Sequence, residues 1–106
     1  MKAAFVGRWR IVEMEQWDRD YIDMEEPGQI TFEEKGMGGF HFGCVDAQLD
    51  WRYDPSLDRV DFTFEGSAEG DQVNGRGWAK IDGKQMAGLI AFHLGEESGF
   101  KARKAK

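Results

Sequence analysis

The sequence predicts an all-β fold: an eight-stranded antiparallel up-and-down barrel with a short helix or ordered loop after the first strand. Three observations support this prediction. Apolar and polar residues alternate from Val45 to Tyr53, which is typical of a strand with one buried and one solvated face. Similar runs recur along most of the chain, separated by short turn signals. The length of 106 residues fits one domain, residues 1–106, with a single core.

The composition is that of a small globular protein. Eight phenylalanines, four tryptophans and two tyrosines supply large buried areas for so short a chain. The net charge of −6 argues against general binding to nucleic acid, whose phosphates require lysine and arginine. The apolar start is too brief for a signal peptide, and no apolar run approaches the length of a membrane span. We therefore expect a cytoplasmic protein without a membrane partner.

Eight strands are predicted in chain order. Their ranges are 5–15, 29–34, 39–43, 45–53, 59–65, 72–81, 84–94 and 99–103. The alternation predicts that one apolar set is buried, namely Trp9, Ile30, Phe32, Phe62 and Phe64. The inward parity changes between Phe42 and Val45, which indicates a bend or bulge at Gly43-Cys44. Cys44, the only cysteine, is expected to be a small buried residue within a strand.

The segment 16–26 interrupts the strand pattern. Trp17, Tyr21 and Met24 are spaced as on one face of a helix, and Pro27-Gly28 ends the segment. We expect a helix of one to three turns, or an ordered loop, that caps one end of the barrel. The acidic residues of 13–26 are expected to form a solvated cap.

A tight turn sets the pairing of the sixth and seventh strands. Asp82-Gly83 is predicted as a two-residue connection of type I′. With Ile81 opposite Lys84, Gly77 lies opposite Gly88 on the inward face. Two opposed glycines leave room inside the barrel. Large aromatic side chains from other strands fill such room more commonly, and a small ligand is the alternative.

The outer face of the seventh strand is apolar where a solvated barrel should be polar. Ala87, Leu89 and Ala91 lie on this face beside Trp78. Because a strand that is apolar on both faces needs a cover, the pattern predicts a homodimer through this sheet. The alternative is that the acidic segment near Trp17 folds over these residues within one chain.

The tripeptide Gly7-Arg8-Trp9 near the start of the first strand resembles the Gly-x-Trp signature of the calycins. This superfamily comprises the lipocalins, fatty-acid-binding proteins and avidins. The resemblance implies structural roles for Gly7 and Trp9, with Trp9 closing one end of the barrel. It also implies that a basic residue of the last strand, Arg103 or Lys101, lies across Trp9.

Two positions depart from the calycin pattern. Arg10 stands where lipocalins commonly have an aromatic residue, and Ile11 stands where avidins have an asparagine that contacts biotin. The resemblance therefore does not imply biotin binding. The stretches Asp18-x-x-Tyr21-Ile22-Asp23 and Gly75-x-Gly77-Trp78-Ala79 resemble a widespread set of short bacterial proteins, which implies no activity.

The sequence contains no recognisable catalytic constellation. His41 and His93 are the only histidines, and their spacing to Glu96 and Glu97 does not support a metal site. The serines stand in turns without a nucleophile elbow, and Gly75-x-Gly77 lacks the third glycine of a nucleotide-binding loop. We expect no enzymatic activity, no cofactor and no metal.

Two non-catalytic functions follow from these patterns. The first is binding of a small apolar or amphipathic ligand in the barrel interior, and its candidate residues are Trp17, Tyr21, Trp51, Gly77 and Gly88. The alternative is a protein-interaction or self-association module with a filled core. Its candidate interface residues are Trp78, Ala87, Leu89 and Ala91. An empty interior would favour the first function, and a packed interior with a dimer would favour the second.

Overall fold

The computed structural model describes residues 1–105 as a closed barrel of eight antiparallel strands in chain order, as the alternation predicts. The strands are β1 Gly7–Met14, β2 Gln29–Phe32, β3 Met37–Phe42, β4 Val45–Asp54, β5 Arg59–Ala68, β6 Asp71–Asp82, β7 Gln85–Phe92 and β8 Glu97–Lys104. Each strand pairs with the next, and β1 pairs with β8 to close the barrel. Closure leaves no exposed strand edge.

Two helices of four residues lie at opposite ends of the barrel. The helix α1, Lys2–Phe5, precedes β1, and α2, Arg19–Ile22, follows it. The up-and-down order therefore places α1, the β6–β7 connection and the end of β8 at one end, called the α1 end below. The other end, called the α2 end, carries α2 and the β3–β4 connection. Neither helix is both long and apolar enough to cross a membrane.

The helix α2 confirms the predicted short helix after the first strand, but it is shorter than the apolar spacing indicates. Asp18 caps it by accepting a hydrogen bond from the Tyr21 backbone N–H at 2.9 Å. Met24 lies beyond the helix and is 55% exposed, so it does not extend the apolar face as predicted. The helix α1 was missed because Phe5 and Val6 continue the apolar pattern of the first strand.

Gly43 and Cys44 form the two-residue connection of a hairpin, since Phe42 pairs with Val45. The predicted bend or bulge at Gly43-Cys44 is therefore wrong. Cys44 is half-buried in a turn rather than buried in a strand. The buried positions change from even to odd residue numbers because a new strand, β4, begins at Val45. The register irregularity of the barrel lies instead in β1 opposite β8, between Ile11 and Glu13.

The β6–β7 hairpin is shifted from the predicted register. Asp82 pairs with Gln85, so Gly83 and Lys84 form the connection and Gly77 lies opposite Ile90 rather than Gly88. Gly83 has a φ of +66°, whereas Lys84 does not have a positive φ, which is the φ pattern of a type II′ turn and not of type I′. A shift of two residues keeps every side chain on its predicted face, because side chains alternate with a period of two.

Aromatic rings fill the space that the inward glycines leave. A Cβ atom built on Gly77 would lie 2.7 Å from Cε1 of Phe62, and one on Gly88 would lie 2.8 Å from Cε1 of Phe100. The five residues predicted to be buried are all buried, namely Trp9, Ile30, Phe32, Phe62 and Phe64. The small residues on β6 and β7 thus receive the large residues of β5 and β8, as in a closely packed core.

Candidate functional site

Trp51 belongs to the packed core near the α1 end. Its indole N–H donates to the backbone oxygens of Glu33 and Met37 at 2.9 and 3.0 Å. Its ring packs edge-to-face against Phe32 with centroids 5.6 Å apart. The Trp51 side chain therefore has its polar atom satisfied within the chain, as a buried indole requires.

Trp17 and Tyr21 lie together at the α2 end. Their rings stack with centroids 6.1 Å apart, and Trp17 packs on Phe42 at 5.0 Å. The structure therefore brings these two candidate residues together but places Trp51 towards the opposite end. Gly77 and Gly88 lie in the wall of the barrel, beneath rings of the core.

The Tyr21 hydroxyl reaches Cys44, with its oxygen 3.2 Å from Sγ. Burial raises the pKa of Tyr21 above its ordinary value, and the hydrogen bond with Cys44 raises this pKa further. The Tyr21 ring also occupies the space of a side chain at Gly43, whose φ is +56°. These contacts attach α2 to the β3–β4 hairpin.

The histidines do not form a metal site. Nε2 of His41 is buried without a hydrogen-bond partner and lies 3.8 Å from Oε1 of Glu25. His93 is exposed in the β7–β8 connection. Among residues 1–105, no group of three or more histidine, cysteine or acidic side chains is arranged to hold a metal ion.

Trp9 closes the α1 end of the barrel. Its indole N–H donates to the backbone oxygen of Phe5 at 3.0 Å, and Nζ of Lys104 lies 4.8 Å from its ring centroid. The cation across Trp9 is therefore Lys104 and not Arg103 or Lys101 as predicted. The reason is the register, because Trp9 pairs with Lys104.

Gly7 makes room for this arrangement. Its φ is +123°, and a Cβ atom there would lie 2.7 Å from Nζ of Lys104. Nζ of Lys104 donates to the backbone oxygen of Val6. The glycine of the Gly-x-Trp tripeptide thus lets the Lys104 side chain approach the backbone beside Trp9.

The outer face of β6, β7 and β8 carries an apolar surface formed by Trp78, Ala87, Leu89 and Gly99, called the outer patch below. Trp78 pairs with Leu89, and Leu89 pairs with Gly99, so these three residues form one row across the strands. Trp78 and Leu89 are half-buried and Ala87 is exposed, whereas Ala91 is 2% exposed. A groove of about 490 Å³ runs over this surface, includes the exposed Lys101 of β8 opposite Ala87, and continues to Glu13 and Glu15.

Contacts within the chain cover the outer patch only in part. The guanidinium of Arg59 lies 5.4 Å from the Trp78 ring centroid, and it also pairs with Asp61 at 3.0 Å. Trp17 and the adjoining α2 pack on Phe42 and Phe92 at the barrel end. The acidic segment therefore does not fold over Trp78, which was the predicted alternative to a dimer.

Opposite charges flank the outer patch. On β6, Lys80 lies beside Trp78 on the outer face and is exposed. Glu13 on β1 and Glu15, the residue after the end of β1, are exposed beyond the other side of the patch. Glu15 is held in place there, since its Oε1 accepts a hydrogen bond from the Gly99 backbone N–H at 3.3 Å.

Comparison with known proteins finds no matching protein-family model, no matching curated protein and no matching solved structure. The chain is therefore described by its fold, an eight-stranded antiparallel closed barrel.

Proposed function

We propose that this protein is a non-enzymatic self-association module, in which the outer patch joins two copies of the chain. The observation that carries the proposal is an apolar row of Trp78, Leu89 and Gly99 on the outside of a barrel whose inside is already filled. A tryptophan at the centre of an apolar surface is the type of residue that dominates interfaces.

The packed interior supports this function over the binding of a ligand inside the barrel. A ligand between β5 and β6 would have to displace the rings of Phe62 and Phe64, which are 3% and 4% exposed. Displacing buried aromatic rings costs several kcal/mol, about the loss on truncating such residues. Interior ligand binding stays a prediction from the sequence.

The shape of the outer patch suits a symmetric dimer. A two-fold axis that runs along the strands between β7 and β8 places β7 of one copy over β8 of the other. Leu89 then faces Gly99 of the partner subunit, where the glycine leaves an open space. A Cβ atom at Gly99 would meet only ordinary contacts, with the Gly88 backbone oxygen at 3.7 Å and Glu15 Oε1 at 4.0 Å, so the chain leaves room there for a small apolar group. The two-fold symmetry makes this contact twice, since the Leu89 of each copy fills the space above the Gly99 of the other copy.

The charges around the patch support the same axis. It places β6 of one copy over β1 of the other, so that Lys80 faces Glu13 of the partner subunit. From β6 across β7 and β8 to β1, Lys80 pairs with Ala87, Ala87 with Lys101 and Lys101 with Glu13. Lys80 and Glu13 therefore lie in one row across the sheet. Opposite charges at the rim favour the correct register of an interface.

The proposal includes a shared ancestry of this protein with the calycins. Gly7 and Trp9 occupy the start of β1 at the closed end of the barrel, and a cation of β8 lies across Trp9. These features support a calycin-like barrel that has filled its interior. In such a barrel the outer surface is the part that remains free to bind.

Sedimentation velocity tests the proposal with two variants. The wild type should dimerise at tens of micromolar, and Trp78→Glu should be monomeric because it places a charge in the apolar row. Gly99→Gln is the sharper variant. It should also be monomeric, yet fold normally, because its Cβ meets only ordinary contacts within the chain.

Gln48→Glu, on the exposed outer face of β4, is the matched control and should dimerise like the wild type. A wild type that is monomeric at these concentrations, or a Gly99→Gln variant that dimerises with unchanged affinity, would contradict the proposal.

A further inference from the structure

A groove at the α1 end is separate from the outer patch and from the barrel interior. Its volume is about 850 Å³, and it is broadly open to solvent. Its apolar floor is formed by Ala4 and Ile81, with Trp9 only 3% exposed beneath Lys104, and three cations, Lys84, Arg103 and Lys104, stand around it. We infer that this groove binds a small organic anion, whose apolar body lies on the floor and whose charged group meets the cations.

The charge of the groove is opposite to that of the chain. The net charge of the protein is −6, yet among the described residues, 1–105, the groove is lined by three cations and one carboxylate, that of Asp82. Within residues 1–105, none of these three cations forms an ion pair with a carboxylate. Cations without carboxylate partners beside an apolar floor favour a ligand that supplies the missing negative charge.

Lys104 is held in position before any ligand arrives. Its Nζ donates to the backbone oxygen of Val6 and lies 4.8 Å from the Trp9 ring centroid. An ammonium group has three donors, so this hydrogen bond leaves two of them for an anion. Because the side chain is already fixed, binding loses less conformational entropy than it would at a free surface lysine.

The other two cations come from different strands. Lys84 lies in the β6–β7 connection, and Arg103 lies near the end of β8 opposite Gln85. The guanidinium of an arginine can bind a carboxylate, sulfonate or phosphate through two parallel hydrogen bonds. The groove is of the size that small-molecule sites have, about 300–1,000 Å³. The ligand class is therefore an organic anion with a compact apolar body.

The test uses three probes in isothermal titration calorimetry. Naphthalene-1-sulfonate combines an aromatic body with a permanent negative charge, 1-naphthalenemethanol has the body alone, and inorganic sulfate has the charge alone. The inference predicts saturable binding of the sulfonate, with binding of the other two at least about tenfold weaker, which corresponds to 1.4 kcal/mol.

Variants of the groove locate the site. Lys84→Glu combined with Arg103→Glu should weaken binding of the sulfonate by about tenfold or more, since it reverses two of the three charges. Lys35→Glu, an exposed lysine of the β2–β3 connection, is the control and should leave the affinity within about twofold. The neutral pair Lys84→Gln and Arg103→Gln provides a second measurement if the charge reversal impairs folding, and it should weaken binding to a smaller extent.

Three results would overturn the inference. They are the absence of saturable binding of the sulfonate, equal binding of the uncharged alcohol, and an affinity that the groove variants leave as unchanged as the control does. The Gly99→Gln variant should bind the sulfonate like the wild type whatever its oligomeric state, because the groove does not include the outer patch.

Discussion

At the scale of single residues, the inner wall of the barrel depends on matched pairs of glycine and phenylalanine. Gly75, Gly77 and Gly88 lie beneath the rings of Phe64, Phe62 and Phe100, in that order. A methyl group at any of these glycines would also meet a backbone oxygen of the adjacent strand. These glycines are therefore required for packing as well as for close approach of the backbone.

Gly77→Ala should destabilise the protein by about 1–3 kcal/mol, the usual cost of adding a methyl group to a packed core. Urea denaturation measures the effect. Gly99→Ala is the matched control: the same methyl group on the outer face meets its nearest atom at 3.7 Å and should change the free energy of unfolding by less than about 1 kcal/mol. Equal effects of the two substitutions would show that the inner wall is not closely packed.

At the scale of secondary structure elements, α2 is held on the β3–β4 hairpin by the contact between Tyr21 and Cys44. In a Tyr53→Phe background Tyr21 is the only tyrosine, so the absorbance of the phenolate reports its pKa alone. We expect a midpoint above 10, because burial and the hydrogen bond with Cys44 both raise the pKa. Adding Cys44→Ala should lower the midpoint while burial keeps it above the ordinary value.

The sign of the linked stability follows from the same shift. An unfolded tyrosine loses its proton near pH 10, whereas the folded Tyr21 retains it to higher pH. The contribution of Tyr21 to the free energy of unfolding is therefore complete below about pH 10, the unfolded pKa. It is lost as the pH rises through the higher pKa of the folded state. A Tyr21 midpoint unaffected by Cys44→Ala would mean that the thiol does not hold α2 in solution.

The sequence predicts the elements better than their pairing. The alternation in β4 and β5 gives the inward residues correctly, because parity depends only on the chain itself. The pairing of β6 with β7 depends on which residues form the turn, and parity is unchanged by a shift of two. The same pattern therefore fits both the predicted partner of Gly77 and the observed one.

The sites are less predictable than the strands, because they combine distant parts of the chain. The outer patch could be predicted, since Trp78 and Leu89 break the polar pattern of an outer face. The groove at the α1 end could not, because it joins α1, the β6–β7 connection and the end of β8. The pairing of Trp9 with Lys104 could not be predicted either, because closure of the barrel sets the register of β1 against β8.

At the scale of the whole molecule, the two candidate binding surfaces lie on the outside of the barrel. The interior is filled, the α2 end is covered by stacked aromatic rings, and the α1 end carries a cationic groove. The outer patch is the apolar surface on the side of the barrel, with Lys80 and Glu13 at its two margins. In the proposed dimer, this surface binds the same surface of a second copy.

A double-mutant cycle on Lys80 and Glu13 tests for this dimer, because the two side chains face each other only between copies. Within one chain these residues lie on β6 and β1, separated by β7 and β8, so their backbones are about 14 Å apart along the sheet at a strand spacing of about 4.8 Å, and the curvature of the barrel separates their side chains further. In the proposed dimer each faces the other across the interface. The measurement is the dimer dissociation constant by sedimentation equilibrium for the wild type, Lys80→Glu, Glu13→Lys and the double variant.

Each single variant should weaken dimerisation, since it places like charges together, and the double variant should restore much of the affinity. The expected coupling energy is about 0.5–1 kcal/mol at low salt, as for other exposed pairs. Additive effects of the two substitutions, or a wild type with no measurable dimer, would contradict the account.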